Sequence, residues 1–216
     1  MPGVKWILPL TCIPEFIATG YALALFGKIK NELKMLGLFL FLSCTIEIAA
    51  MVFWWNGKNN LPLLHVYVAA GFILLAGLYG QVLRDFISRR ILFVVMILFL
   101  LFTLLNSIFI QNIFTFNSYA LTAESILVII FSFFTLVLSQ HEVFRDKQNK
   151  GFASIRWINA GLLIYYSSSL LLFYFGDIVN KSFPVYLSQY TWLLSNFFSA
   201  VMYTCFIVAL WKRPQM

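Results

Sequence analysis

The sequence predicts an all-α polytopic membrane protein, one bundle of seven transmembrane helices over residues 1–216, with its N-terminus outside and its C-terminus in the cytoplasm. Three observations predict it. Of the 216 residues, 62% are hydrophobic and 11% charged, less than half of the roughly 25% charge with which a soluble domain covers its surface. Seven apolar runs approach the roughly 20 residues that carry a helix across a bilayer. The basic residues fall in alternate gaps between those runs.

The seven runs are residues 4–26, 35–55, 63–83, 91–110, 121–139, 158–179 and 192–210. They are too long and too evenly apolar for barrel strands, so helices that bond their own backbone are expected. Pro9 and Pro14 interrupt the first run and predict a kinked or irregular helix there. Only Lys5 precedes that run, and no small-residue cleavage site follows it, so a cleaved signal peptide is not expected. In the third run, Ala69, Ala70, Gly71, Ala76, Gly77 and Gly80 thin the helix, and the Ala76–Gly80 spacing predicts a closely packed central position. Thr122 and Glu124 open the fifth run and make it the most polar at its start.

Charge gives direction. Lys28, Lys30 and Lys34 lie between the first and second runs, Arg84, Arg89 and Arg90 between the third and fourth, Arg145, Lys147, Lys150 and Arg156 between the fifth and sixth, and Lys212 and Arg213 after the seventh. Only Lys5, Lys58 and Lys181 fall on the other side. Positive loops stay inside, so the first side is cytoplasmic and the odd-numbered helices run inward. The expected location is a cell membrane, the inner membrane of a bacterium. The net charge of +7 is therefore a topology signal, and without a basic patch interleaved with aromatics it does not point to nucleic acid. No loop is long enough for a catalytic domain.

Acids inside a membrane are costly and mark functional candidates. Glu15, Glu47, Glu124 and Asp177 all fall in the outer half or near the middle, together with His65, Tyr67, Asn106, Trp192 and Asn196. Helical spacing groups several of them. Thr11, Glu15 and Thr19 share one face, as do Ser43, Glu47, Ala50 and Trp54, and Trp192, Asn196, Ser199 and Tyr203. These polar stripes predict an outward-opening cavity with Glu15 and Glu47 near its floor. Its candidate ligand-binding residues are Glu15, Glu47, His65, Asn106, Glu124, Trp192, Asn196 and Tyr203. Against this stands the ordinary role of Asn, Ser and Thr as bridges between membrane helices, worth about 0.6 kcal/mol each. Gln81, Asn159 and Ser167, Ser168 and Ser169 lie deeper, where they would extend a polar path.

Several chemistries find no support. Two histidines, His65 and His141, expected on opposite sides of the bilayer, do not make a hydrolytic zinc site. Cys12, Cys44 and Cys205 lie in apolar runs at no metal or disulfide spacing. Gly-rich phosphate loops and the HExxH signature do not occur. No cofactor is expected, and a carboxylate-only hydrolase using Glu15 and Glu47 has nothing specific in its favour.

The seven-span layout with an outside N-terminus resembles rhodopsins and seven-helix receptors. The seventh run lacks the lysine that would hold retinal, and Arg84-Asp85 is in the wrong order for the receptor Asp-Arg-Tyr motif. Residues 157–173 (WINAGLLIYYSSSLLLF), with Trp192, Asn196, Tyr203 and Leu210, resemble small bacterial seven-helix proteins that look like detached sensor modules. That resemblance covers the last third of the chain. It implies an input module for a histidine kinase, with the output held by a separate cytoplasmic or membrane signalling partner. The leading expectation is a sensor that binds a small or lipid-like ligand, and the alternative is a small-solute or proton-coupled transporter or channel.

Overall fold

A computed structural model describes residues 10–29, 31–141 and 151–213, the side chains of residues 185–187 aside. Its described residues form seven α-helices in chain order: α1 (Ile13–Leu25), α2 (Asn31–Trp55), α3 (Leu61–Val82), α4 (Arg89–Leu105), α5 (Ser118–Leu138), α6 (Phe152–Ser182) and α7 (Val185–Trp211). All except α1 are long and apolar enough to cross a membrane, α4 together with the π-helical turn that carries it on to Ile110. The chain is thus an all-helical, multi-pass membrane protein. At 13 residues α1 falls short by itself, and residues 4–9 of the first expected span lie outside the described residues. Lys5 and Pro9 are among them, and Lys30, Arg145, Lys147 and Lys150 lie outside as well.

Local chemistry sets the helix ends. The helical path breaks at Cys12 and resumes with Pro14 in the first turn of α1, where a missing N–H costs nothing. Pro62 opens α3 in the same way. At the end of α2, Gly57 takes φ +66°. The Gly57 N–H donates to the Trp54 carbonyl at 3.0 Å and the Lys58 N–H to Phe53 at 2.9 Å, a Schellman turn that closes the helix. Ser88 caps α4, accepting from the Arg90 N–H at 3.3 Å. The fourth run does not stay α-helical throughout. After Leu105 it widens into a π-turn over Asn106–Ile110, closed by the Gln111 N–H donating to the Asn106 carbonyl at 2.7 Å. α6 and α7 are longer than their apolar runs, since backbone bonding continues into polar flanks that hydropathy does not mark.

Neighbours in sequence pack together, and α1 packs against α7 to close a ring in which α3 touches α2, α4 and α5. The centre is dense. Phe39, Leu75, Leu162 and Phe206 are all fully buried, with Phe39 and Phe206 edge-to-face at 6.4 Å. Outside, Phe41, Phe93, Leu98, Leu101, Phe133, Leu171 and Phe197 are exposed, the reverse of a water-soluble surface. Trp54 and Trp55 at one end and Trp157 and Trp211 at the other stand exposed at the helix ends, where aromatic belts meet headgroups.

The two ends differ in charge. Described Lys58 and Lys181 lie at the end holding the α2–α3 and α6–α7 turns, and Lys181 is paired with Asp177 at 2.7 Å. The opposite end carries Lys28, Lys34, Arg84, Arg89, Arg90, Arg156, Lys212 and Arg213. These are the neutral end and the basic end.

Candidate functional site

A cavity of about 350 Å³ lies within the neutral half of the bundle, in the range of small-molecule sites. α1, α2, α3, α5, α6 and α7 all contribute to its wall, together with Phe116 from the loop before α5. The stripe on α2 lines it through Ser43, Glu47 and Ala50, and the stripe on α7 through Trp192, Asn196, Ser199 and Tyr203. Trp54, one more turn along α2, is 45% exposed and lies beyond the lining.

Glu15 occupies the first turn of α1 and is 5% exposed. One of its carboxylate oxygens is buried with no hydrogen-bond partner, and its neighbours are Ser43 and Tyr203. Those two share a hydrogen bond of 2.6 Å that ties α2 to α7. Below them the Thr19 hydroxyl donates to the Leu40 carbonyl at 3.2 Å, tying α1 to α2. Glu47 faces the same space and accepts from the Cys12 thiol at 3.3 Å. Two carboxylates thus share one wall.

Glu124 stands behind that wall. It is 1% exposed, accepts from the Tyr166 hydroxyl at 3.2 Å, and holds a second oxygen with no partner. It approaches α3 over Gly71, where a Cβ would stand 3.8 Å from its Oε1 and 3.9 Å from the Tyr67 ring. Tyr67 and Tyr165, both in the lining, lie near Glu124 and near Glu15.

At the mouth, the Trp192 ring packs on Phe116 with centroids 4.7 Å apart. Its indole N–H donates to Asn180 Oδ1 at 2.9 Å, and the Ser188 hydroxyl donates to the same oxygen at 3.0 Å. Phe116 lies so close over Gly176 that any Cβ there would collide with the ring. A second close approach joins α6 to α7, where a Cβ at Gly161 would come within 2.9 Å of Cys205 Cβ.

Two of the sequence-predicted residues turn elsewhere. The His65 Nε2–H donates to the Thr115 carbonyl at 3.2 Å, and its Nδ1 lies 2.8 Å from the Ser107 hydroxyl. Asn106 is fully buried and donates to Gln111 Oε1 at 3.1 Å and Asn117 Oδ1 at 2.9 Å. Both residues fasten the loop that delivers Phe116. Deeper in the bundle, Tyr79 donates to Asn159 Oδ1 at 3.1 Å and bonds Ser132 Oγ at 2.6 Å, while the Asn159 amide donates to the Ser132 carbonyl at 2.9 Å. This joins α3, α5 and α6. Of the serine run only Ser169 is buried, 3.5 Å from Ser195.

Sequence reasoning did not single out Tyr165, Phe173, Ser195 or Phe116. Tyr165, Ser169 and Phe173 repeat at i, i+4 and i+8 on α6, a stripe that the apolar neighbours hide. Phe116 comes from a loop, where no helical period applies.

The lining presents carboxylates, hydroxyls, the two amides of Asn60 and Asn196 and aromatic faces, and the described residues lining it include no Lys, Arg or His. Among the described residues no group of three or more His, Cys, Asp and Glu could hold a metal ion. A second cavity, about 580 Å³ at the basic end between α5 and α6, has the opposite character, with Arg156 and Lys212 in its wall. Compared with known protein families, with curated proteins and with solved structures, the chain matches none.

Proposed function

We propose that this chain is a seven-helix sensor or receptor-like module. It binds a small or lipid-like ligand in the neutral-end cavity and passes a helix rearrangement to a separate signalling partner. In this reading residues before Ile13 complete the first span, the neutral end faces outside and the basic end lies in the cytoplasm of a bacterial cell.

The observation that carries the reading is that six helices share one cavity wall. A ligand there touches helices that also bond one another directly, as Ser43–Tyr203 and Thr19–Leu40 do. Differential contact with two packing arrangements is what lets a ligand shift a conformational equilibrium. Transport would need polar groups through the full thickness. Between the cavity and the Tyr79–Ser132–Asn159 cluster lie Phe39, Leu75, Leu162 and Phe206, all fully buried, and this apolar layer favours sensing.

Two measurements test it. Charge reversal of Arg84, Arg89, Arg90 and Lys212 should abolish crosslinking to a histidine-kinase partner in cells, and unchanged crosslinking would sink the relay. Reconstituted in liposomes, the chain should move neither protons nor small cations. A flux abolished by Glu47→Gln would replace the sensor reading with transport.

A further inference from the structure

We propose that the ligand of the neutral-end cavity is an organic cation, a substituted ammonium held by Glu15 and Glu47 against aromatic faces. This rests on the reading of the cavity as a ligand site and adds the chemical class of what it takes.

The argument begins with charge. Glu15 and Glu47 face one cavity from α1 and α2, and Glu15 is 5% exposed with one oxygen lacking any partner. Glu124, a third acid with an unpartnered oxygen, is outside the lining but near the lining residues Tyr67 and Tyr165. Among the described residues of the neutral end, Lys181 pairs with Asp177, His65 is bonded to Ser107 and Thr115, and Lys58 lies in the α2–α3 turn outside the cavity lining. A carboxylate taken from water without a countercharge costs several kcal/mol. An anionic ligand would raise that cost, a neutral one would leave it, and a cation would offset it.

The second observation is independent of the acids. Tyr67, Phe116, Tyr165, Phe173, Trp192 and Tyr203 all line the same cavity. Aromatic faces attract ammonium groups through the ring quadrupole, and quaternary ammonium ligands are recognised this way. Both the size and the lining argue against an inorganic ion. About 350 Å³ is far more than a bare metal ion occupies, and the apolar faces of six aromatic side chains suit an organic group. An alkylammonium head with an apolar tail matches a lining that combines two carboxylates with aromatic surface.

The test uses the purified full chain in lipid nanodiscs, with three probes followed by tryptophan fluorescence and thermal shift. The probes are choline, benzyltrimethylammonium and 3,3-dimethylbutan-1-ol, the uncharged carbon analogue of choline. We expect saturable binding of both cations, at least about tenfold tighter than the alcohol, and weakening of about tenfold or more in Glu15→Gln and in Glu47→Gln. The wild-type comparison of choline with its neutral analogue needs no variant, so a variant that misfolds does not blunt it. Equal binding of alcohol and cations would overturn the cation, and cation binding unchanged in both Gln variants would overturn its hold by Glu15 and Glu47, each leaving a ligand cavity in place. No saturable binding of any probe would overturn both.

Discussion

Ser43 on α2 and Tyr203 on α7 share a 2.6 Å hydrogen bond beside the buried carboxylate of Glu15, so one contact both closes the cavity floor and ties two helices 160 residues apart in the chain. Removing either partner leaves the other hydroxyl without that bond in a low-dielectric interior. Ser43→Ala and Tyr203→Phe should each lower stability by about 1 kcal/mol, with a coupling between them of roughly 0.6 kcal/mol in a double-mutant cycle. Unfolding titrated with SDS in mixed micelles measures both values. Strictly additive losses would mean that the pair carries no interaction energy.

Gly176 gives a steric prediction. Phe116 lies on the glycine too closely for any side chain, so Gly176→Ala must displace the ring and with it the Trp192 contact. We expect a loss of about 1–3 kcal/mol, partly restored by adding Phe116→Leu. Thermal unfolding in nanodiscs reads the change, and an unaffected single variant would show that the loop shifts freely.

The inner polar cluster should behave differently from the lipid-facing serines. Asn159→Leu removes partners from both the Tyr79 hydroxyl and the Ser132 carbonyl, and should cost about 1–3 kcal/mol. Ser167 is exposed and its hydroxyl bonds only its own helix, so Ser167→Ala should stay within about 0.5 kcal/mol. The two variants compared in one detergent give the contrast directly. Equal effects would remove the distinction between interhelical and local bonding.

Orientation is open to chemical labelling. Lys58→Cys lies in the neutral-end turn and Arg84→Cys at the basic end. In intact cells a membrane-impermeant maleimide should label the first and not the second, until the membrane is broken. The native Cys12 and Cys205 are buried and Cys44 is half-buried, so Cys44→Ser is added to both variants to keep the background low. Labelling in the reverse order would invert the proposed topology.

Helical spacing made much of this site legible before any coordinates. The stripes Ser43–Glu47–Ala50 and Trp192–Asn196–Ser199–Tyr203 face one cavity because a period near 3.6 fixes which residues share a helix face. Depth alone was less informative. His65 and Asn106 stand at the same level as Glu15, but depth does not set the direction a side chain takes around its helix, and both turn to the 106–118 loop. Phe116 was invisible because a loop has no period. Tyr165 and Phe173 were hidden for another reason, since a stripe of aromatics on an apolar helix looks the same facing lipid or facing a cavity.

The contact between α1 and α7 also bears on how the protein is made. Helices leave the ribosome in order, so Glu15 and Glu47 enter the membrane long before Trp192, Ser195, Asn196 and Tyr203 exist. Until α7 is inserted, one side of the cavity is missing and the two carboxylates face lipid or whatever escorts the nascent chain. The cavity is therefore complete only once α7 has arrived, and a chain halted after α6 would carry its most costly residues without the wall that shelters them.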